Sequence, residues 1–340
     1  MKSTIARAYR NFEAFLVDHA NNPLLRGLAI VVTLVDLRRE ATSVVWGRHD
    51  SRRGEARATL TGVRRDVHRI EKGLVMRPRR VPFGKDYVPG LVDAVGELRS
   101  TDAIPDADFS WAKDVLGAYF EATSEVTDDW LVSARRQYSA MAKSGDVPVL
   151  IPSPRSMSVR SSVTFRDLED LAMQRRSVRW FEQSAVDPSA VDQALRIASQ
   201  APSACNRQNI RFHLVYGVVE TSKVLGTVGG TRGFGDQVPA VAVLIGRLAG
   251  YRYGFDRHAI FIDGGLASMG FLLGLETLGL SSCCINWPDV GSRYAAIKKL
   301  IPLQKDEQIL MLIAIGKADP DGMIPSSHKR ALSELRTTSL

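Results

Sequence analysis

Three arginines and a serine stand within five residues in the segment Arg175-Arg176-Ser177-Val178-Arg179. Guanidinium groups form paired hydrogen bonds to phosphate oxygens, and a serine hydroxyl adds another donor, so this spacing suits a phosphate group. The cluster also follows a predicted helix, and the helix dipole favours cations at the carboxyl end. The segment alone therefore leaves two interpretations open, a phosphate site and an ordinary helix-end cluster of charge.

A second polar segment, Ala201 to Gln208, lies between a predicted helix and a predicted strand. Pro202, Ser203 and Asn206 are residues that favour turns. Asn206 and Gln208 also place two amide side chains two positions apart, and an amide both donates and accepts hydrogen bonds. This pair suits the alternating carbonyl and imino edge of a flavin ring, although turn chemistry alone explains much of the segment.

In this order and spacing, the two segments together resemble the paired signature of the FMN-dependent nitroreductases. The likeness continues through Asp263–Ser268, Leu278–Cys283 and Ile313–Lys317, within a region from Thr164 to Leu332. Outside this region, His68–Leu74 and Arg80–Lys85 resemble a segment of some family members associated with bacterial polysaccharide biosynthesis. His68 and Lys72 also fit the solvent side of an amphipathic helix, and this is the interpretation we favour.

The resemblance implies an α+β (layered α/β) fold of the nitroreductase type, with helices flanking a mixed central sheet. An N-terminal, mainly helical region is added to it in this chain. The resemblance also implies FMN as the cofactor, NAD(P)H as the reductant and an interlocked homodimer that shares the FMN site. It implies no catalytic side chain, because the flavin N5 carries the chemistry. Metal-ligand spacing is not found in the sequence, so no metal is expected.

The cofactor contacts of the family fall on matching positions of this chain. The residues expected around the phosphate, the ribityl chain and the polar edge of the ring are Arg175, Arg176, Ser177 and Arg179. The turn expected to reach the flavin of the partner subunit contains Pro202, Ser203, Ala204, Asn206 and Gln208. The segment whose backbone N–H groups would face the flavin N5 is Cys284, Ile285, Asn286 and Trp287. Lys329 aligns with a terminal basic residue on the phosphate.

The chain departs from the family pattern at three places. Asn209-Ile210 stands where members often have Pro-Trp, so the shielding of the ring differs. Asn286 replaces an acidic residue that is frequent beside N5. Lys329 replaces an arginine and offers a point charge instead of a planar fork, with His328 and Arg330 as neighbouring alternatives. These changes bear on substrate preference more than on flavin binding.

Composition divides the chain into three regions. Residues 1–147 form a mainly helical and basic region, in which Val63, Val67, Ile70 and Leu74 share one helix face. Residues 148–162 are rich in proline and serine and have the character of a linker. Residues 163–340 form the predicted FMN-binding domain, whose first helix opens with the capping pair Thr164 and Asp167. The side chains of that helix predicted to face the core are Leu168, Leu171 and Ala172.

Four apolar runs in this domain predict strands. They are Arg211–Tyr216, Ala240–Ile245, Ser282–Asn286 and Gln308–Ile315. The second and fourth are almost wholly apolar, as expected for strands buried on both faces. Helices are predicted near Glu220–Leu225, His258–Leu278 and Ser292–Leu300. The longest of these helices, His258–Leu278, contains four glycines, which indicates close packing against another backbone, in the same chain or in a second subunit.

The net charge of +8 is concentrated near the start, since residues 1–80 hold 17 Lys and Arg against 8 Asp and Glu. We interpret this excess as a solvated helical face, with a contact to nucleic acid or a membrane surface as the alternative. Because no nucleic-acid motif accompanies the charge, no nucleic-acid partner is expected. The apolar run Gly27–Val35 is shorter than the ~20 residues of a membrane span. It predicts a buried or interfacial helix in a cytoplasmic protein without a transmembrane segment.

The three cysteines are Cys205, Cys283 and Cys284, and no CxxC pair occurs. This pattern is typical of reduced thiols rather than a disulfide framework. Neighbours on a strand point to opposite faces, so the adjacent pair is poorly placed for a shared redox step. We therefore expect Cys283 and Cys284 to pack in the core.

The sequence thus predicts an FMN-dependent NAD(P)H oxidoreductase that passes hydride through the flavin N5 to a small, electron-poor acceptor. One alternative is a specialised FMN enzyme that acts on a specific metabolite, for example in polysaccharide biosynthesis. Another is a non-enzymatic basic binding protein with a vestigial flavin fold. The second alternative is motivated by the basic residues 1–80 and by the replacements at Asn209, Ile210 and Lys329.

Overall fold

A computed structural model describes residues 11–55, 59–141, 150–251 and 253–338 of the chain. The first part is helical, as predicted. Its elements are α1 (residues 11–18), α2 (Pro23–Glu55), α3 (Leu60–Leu74), α4 (Val88–Ser100), α5 (Asp106–Ala122) and α6 (Asp129–Ala140). Helices α3 to α6 enclose their own apolar core.

The amphipathic pattern of α3 is confirmed, because Val63, Val67, Ile70 and Leu74 are all buried. The helix begins at Thr59, whose side chain accepts a hydrogen bond from the backbone N–H of Gly62. On α5, Val115 and Tyr119 are fully buried. Helix propensity and the 3.6-residue period are therefore sufficient to place this bundle.

The apolar run Gly27–Val35, predicted to be a buried or interfacial helix, is helical but is not buried within the single chain. Large apolar side chains on all sides of the first half of α2 are exposed, including Leu24 (80%) and Leu34 (60%). The second half packs on the rest of the molecule, where Gly47 lies against Leu248. A helix that is apolar all round is normally covered on all sides, so the first half of α2 is an unusual surface.

The predicted linker, residues 148–162, is described from residue 150 onward. These residues contain a single short helical turn, Arg155–Met157, and are otherwise irregular and mostly exposed. Residues 148 and 149 lie outside the described residues. The division into domains at 147 and 163 stays a prediction.

The remaining elements form layers of helices around one sheet. They are α7 (Phe165–Gln174), α8 (Pro188–Ala198), β1 (Ile210–Tyr216), α9 (Val218–Leu225), β2 (Ala240–Arg247), α10 (Ala259–Thr277), β3 (Ser281–Asn286), α11 (Gly291–Ile297), β4 (Glu307–Gly316) and α12 (Leu332–Leu335). The four predicted strands and the three predicted helices among them are confirmed with small differences at their ends. The fold is of the α+β class.

The sheet has the strand order β1-β2-β4-β3, and each pair of neighbouring strands is antiparallel. The parallel component of the expected mixed sheet is an isolated bridge between Ser177 and Ser282. Alternate residues of β2 enter two different cores. Val241, Val243 and Ile245 face the side of α9 and α11, while Ala240 and Ala242 face α8 and α10. Burial on both faces explains the unbroken apolar runs.

The capping box at the start of α7 is confirmed, because the Thr164 side chain accepts from the Asp167 N–H and the Asp167 side chain accepts from the Thr164 N–H. The predicted core face of this helix is wrong within the single chain. Leu168 and Ala172 are exposed and Leu171 is partly exposed, so no residue of α7 is fully buried. The apolar stripe of α7 therefore faces outward.

The glycines of α10 do allow close packing. A Cβ at Gly274 would lie 3.0 Å from the Cα of Ala194 on α8, and one at Gly264 would lie 2.5 Å from the side chain of Leu310 on β4. By length and composition alone, the segment Gly254–Thr277 could cross a bilayer, but half of its most apolar window is buried inside the chain. This burial against α8 and the sheet is what a core helix requires.

Candidate functional site

The arginine segment leaves the end of α7 and runs beside β3. Arg175 caps α7, with its N–H donating to the carbonyl of Leu171 (3.1 Å). Three residues later the chain pairs with the start of strand β3, where the Val178 N–H donates to the Ser282 carbonyl (3.0 Å). The segment is therefore fixed by backbone hydrogen bonds at both ends, and its side chains are held beside β3.

The guanidinium group of Arg175 has a hydrogen-bond donor that needs an acceptor. Its Nε is buried and has no hydrogen-bond partner among the described residues. Burial raises the pKa of the Glu276 carboxyl and of the Cys284 thiol, and the Arg175 guanidinium opposes both shifts. A buried, unpartnered guanidinium N–H is costly unless a ligand or water satisfies it. An anionic ligand beside β3 would do so.

A cavity of about 320 Å³ opens at the end of β3. We call it the arginine pocket, and it is lined by Arg179, Gly230, Cys284, Ile285, Asn286 and Arg293, among others. Of the arginine cluster, only Arg179 lines this pocket, where it meets the residues predicted from the β3 end; Arg175, Arg176 and Ser177 are not among the lining residues. Trp287 follows them, but its side chain is buried and packs edge-on against Tyr294.

Arg293 is a functional candidate that sequence reasoning missed. It stands on α11 and reaches the arginine pocket, where one of its guanidinium nitrogens, Nη1, is buried without a partner among the described residues. A Cβ at Gly229 would lie 3.1 Å from this guanidinium, so a glycine is needed there. Nothing in the local sequence around Arg293 indicates this role, because α11 and the loop at Gly229 are distant in the chain.

The loop from Gly229 to Asp236 precedes β2. Its Phe234 is buried in the core on the α9 side of the sheet. Gly229 and Gly230 line the arginine pocket. The loop therefore forms a wall of this pocket, and its aromatic residue anchors that wall.

The expectation that both adjacent cysteines pack in the core is half wrong. Cys283 is buried, whereas Cys284 is exposed, and both thiols are free. Because strand neighbours point to opposite faces, one thiol enters the core and the other faces the arginine pocket. The surrounding protein atoms displace water from the Cys284 sulfur and so raise the pKa of its thiol. The neighbouring Cys283 raises this pKa further. A raised pKa makes Cys284 a poor nucleophile near neutral pH.

The turn from Pro202 to Gln208 has a strained backbone. Cys205, Asn206 and Gln208 have positive φ angles of 52°, 52° and 55°, a region that residues other than glycine rarely adopt. Each such residue costs on the order of 1–3 kcal/mol, and the cost is tolerated where the surroundings hold the backbone in place. Strain of this kind is concentrated at functional sites.

Asp263 on α10 is the main support of this turn. Its carboxylate accepts the backbone N–H of Ala204 through both oxygens (3.0 and 3.1 Å) and also faces the Tyr251 hydroxyl (3.4 Å). The Ser203 hydroxyl oxygen accepts the Gln208 N–H (3.0 Å). Sequence reasoning quoted Asp263 only as part of a motif. The available signal was an acidic residue among apolar neighbours of a helix, which needs a partner when buried.

Asp263→Asn is expected to change how stability depends on pH. Burial raises the pKa of the Asp263 carboxyl, against the opposing hydrogen bonds from Ala204 and Tyr251. The folded chain therefore binds this proton more readily than the unfolded chain, and folding gains stability as the pH falls from 7 to about 4. A tenfold difference in proton affinity corresponds to about 1.4 kcal/mol.

Asp263→Asn lacks this titration, so the stability of the wild type relative to the variant should rise on acidification. Urea denaturation of both proteins at pH 7 and at pH 4.5 measures the difference between their unfolding free energies. A difference in unfolding free energy that stays constant, or falls, between the two pH values would contradict the assignment.

The structure explains the unusual Asn209 at the end of the turn. Its side chain is buried, donates to the Ala249 carbonyl (2.6 Å) and accepts from the Thr61 hydroxyl (3.1 Å). Ile210 begins β1. The two residues that replace the usual Pro-Trp pair therefore serve to join the turn to the N-terminal helix α3.

Within one chain, the two halves of the predicted site lie apart. The turn precedes β1 and the arginine pocket lies at the end of β3, and these strands are the two edges of the sheet. Three strand spacings separate them, or about 14 Å across the sheet. The lining residues of the arginine pocket include none of the turn residues. Lys329 is exposed in the C-terminal segment and is not among the lining residues of the arginine pocket.

Among the described residues, no group of three or more His, Cys, Asp or Glu side chains could hold a metal ion. The chemistry that the arrangement supports is that of an anion-binding pocket with amide and backbone donors. Such a pocket suits a phosphorylated ring cofactor.

The chain is similar to one family of known proteins. Residues 172–228 and 228–317, less than half of the chain, match the model of the Nitroreductase family. The matched residues include the arginine segment, the turn and the end of β3. No curated protein matches the chain.

Solved structures resemble the same part of the chain. A nitroreductase-like protein from Streptococcus mutans is 19% identical, with a TM-score of 0.45, and the match covers 52% of this chain and 100% of that protein. A nitroreductase family protein from Streptococcus pneumoniae is 19% identical, with a TM-score of 0.44, over 51% of this chain and 100% of its own. An FMN-dependent nitroreductase from Clostridium difficile is 18% identical, with a TM-score of 0.42, over 50% and 98%.

Proposed function

We propose that the chain is an FMN-dependent oxidoreductase that uses NAD(P)H to reduce a small, electron-poor acceptor. The proposal rests above all on the Arg175 Nε, which is buried without a partner among the described residues beside a pocket lined by Arg179 and Arg293. An anionic, phosphorylated cofactor would satisfy these groups. The match of this segment to the Nitroreductase family model supports the choice of FMN.

Each predicted residue then has a binding or orienting role. Arg175, Arg176 and Lys329 would neutralise the phosphate, with the Ser177 hydroxyl as a further donor. Arg179 would stabilise negative charge at the edge of the reduced ring from its place in the arginine pocket. Backbone N–H groups from Cys284 to Trp287 would donate to the ring nitrogen. When bound, FMN supplies the hydride acceptance and delivery, so that no protein nucleophile is required.

We further propose that the site is completed in a homodimer. In one chain the amides of Asn206 and Gln208 lie across the sheet from the arginine pocket, so a second copy must supply them. Helix α10 offers a surface for this contact. Phe261, Ile262, Leu266 and Met269 on this helix are between 42% and 63% exposed. An apolar surface of this kind is typical of a subunit interface.

The visible absorption spectrum of the purified protein tests the flavin. The expected result is the pair of bands of an oxidised flavin, which bleach when NADH or NADPH is added without oxygen. A protein that is colourless and stays so after incubation with FMN and desalting would refute the proposal. Bands that persist with both nicotinamides would refute the choice of reductant while leaving the cofactor in place.

The alternative of a basic binding protein is weakened by ion pairs in the N-terminal region. Arg64 pairs with Asp108, Arg65 and Arg69 pair with Asp66, and Arg39 pairs with Asp289. Arg39 and Arg64 are thus paired with carboxylates from outside residues 1–80, while Arg65 and Arg69 share one, so the four cations offer a reduced field to a polyanion. The excess charge of residues 1–80 therefore does not by itself favour a nucleic-acid or membrane partner.

A further inference from the structure

A second cavity, of about 460 Å³, lies between the N-terminal helices and the strained turn. We call it the turn pocket. It is lined by Arg64 and Glu71 of α3, Asp108 and Trp111 of α5, and Asn206 and Gln208 of the turn. Leu150 and Ile151 complete its wall. The N-terminal helices that line the turn pocket lie outside the family match. The proposed function places two further lining residues, Asn206 and Gln208, on a flavin.

The wall of the turn pocket is fixed in place. The Thr61 hydroxyl on α3 donates to Asn209 beside the turn (3.1 Å). A Cβ at Gly250 would lie 2.4 Å from the Thr61 side chain, so α3 approaches the loop after β2 closely. Helix α3 is therefore docked on the turn, and a ligand in the pocket would meet preformed walls.

The charged groups around the turn pocket are already engaged. The Arg64 Nε and Nη2 donate to the two carboxylate oxygens of Asp108 (2.7 and 2.8 Å). The Glu71 carboxylate accepts the indole N–H of Trp111 (2.9 Å) and faces His68 (3.1 Å). With one cation and two carboxylates among these residues, the pocket has no strong donor for an anion and repels it.

The remaining surface suits a flat, uncharged ring. Trp111 is half-buried, and its indole is held by Glu71, so its ring is presented in one orientation. Leu150 and Ile151 add apolar surface, while the amides of Asn206 and Gln208 can donate to a carbonyl or nitro oxygen. The combination favours an aromatic ring with neutral polar substituents over a carboxylate or a phosphate.

We infer that the turn pocket is the acceptor site of the proposed flavoenzyme and that the N-terminal helices set its preference for uncharged, planar acceptors. This inference rests on the proposed function, because the turn would bring the pocket to the flavin of the second copy. Arg64, Asp108 and Trp111 are then specificity-determining residues outside the family match.

The isosteric pair 4-nitrobenzamide and 4-nitrobenzoate tests the inference in the flavin-loaded enzyme. The wild type should have the higher kcat/KM for the neutral amide. Asp108→Asn frees the Arg64 guanidinium to bind a carboxylate, so the ratio of the two kcat/KM values should shift about tenfold toward the benzoate. Asp93→Asn is the matched control, since it removes one exposed carboxylate from α4 outside this pocket.

Equal selectivity of Asp108→Asn, Asp93→Asn and the wild type would overturn the inference. If Asp108→Asn does not fold, Glu71→Gln removes a charge from the pocket while keeping an oxygen for the Trp111 N–H, and a shift in the same direction is expected. A chain that binds no flavin would refute the proposed function instead. In that event, the quenching of tryptophan fluorescence by 4-nitrobenzamide still reports on the pocket, and an affinity unchanged by Trp111→Leu would overturn the site.

Discussion

Replacing Arg175 by alanine is expected to give a folded chain that purifies without flavin. The Arg175 Nε is buried with no partner among the described residues, so the substitution breaks no hydrogen bond of this nitrogen within the chain. Loss of a charge-assisted contact to the phosphate should cost about 3 kcal/mol, which weakens FMN binding roughly a hundredfold. Titration of the apoprotein with FMN, followed by flavin fluorescence, measures the dissociation constant.

Arg166→Ala is the matched control for Arg175→Ala. Arg166 stands on the same helix, and its pair with Asp170 is largely exposed, so its removal should change neither flavin content nor stability. Thermal unfolding followed by circular dichroism verifies that both variants fold. Retention of stoichiometric FMN by Arg175→Ala would count against the phosphate assignment.

The regular elements around the site could be predicted from the sequence because burial leaves a local pattern there. Helix α3 has a 3.6-residue apolar period, and all four of its predicted core residues are buried. Strand β4 is an unbroken apolar run because both of its faces are covered. The arginine segment and the turn were found through their order along the chain. Patterns of this kind are carried by neighbouring residues and need no knowledge of the fold.

The rest of the site depends on contacts between distant residues. Asp263 supports the turn from another element, and Arg293 reaches the arginine pocket from α11. The sheet separates the two predicted halves of the site within a chain, and their expected meeting across a homodimer stays a prediction. Residue types show what chemistry is available, whereas the strand order decides which residues meet.

Three apolar helix surfaces are exposed in the single chain. They are the stripe of α7, the first half of α2 and one face of α10. An apolar helix face is normally covered. The second copy proposed above would supply such a cover, in which case the apolar pattern of these helices reflects burial in the assembly.

Ile262→Lys is expected to separate the proposed homodimer and to remove FMN, although Ile262 touches none of the proposed cofactor residues. Its side chain is 63% exposed on α10, so a lysine is compatible with the folded single chain. In a two-fold interface, the change occurs twice, and each copy loses apolar burial and buries a charge. We expect a cost of about 5 kcal/mol, or more than a thousandfold in the dimerisation constant.

Light scattering coupled to size-exclusion chromatography gives the mass of Ile262→Lys, and its absorbance gives the flavin content. Val219→Lys is the matched control, because Val219 is 68% exposed on α9, and it should remain dimeric and yellow. If Ile262→Lys is monomeric yet keeps full flavin, the site is complete within one chain and the turn residues Asn206 and Gln208 have another role. If it remains a dimer, α10 is not the interface. If each FMN site takes residues from both copies, Ile262→Lys should lose the dimer and the flavin together.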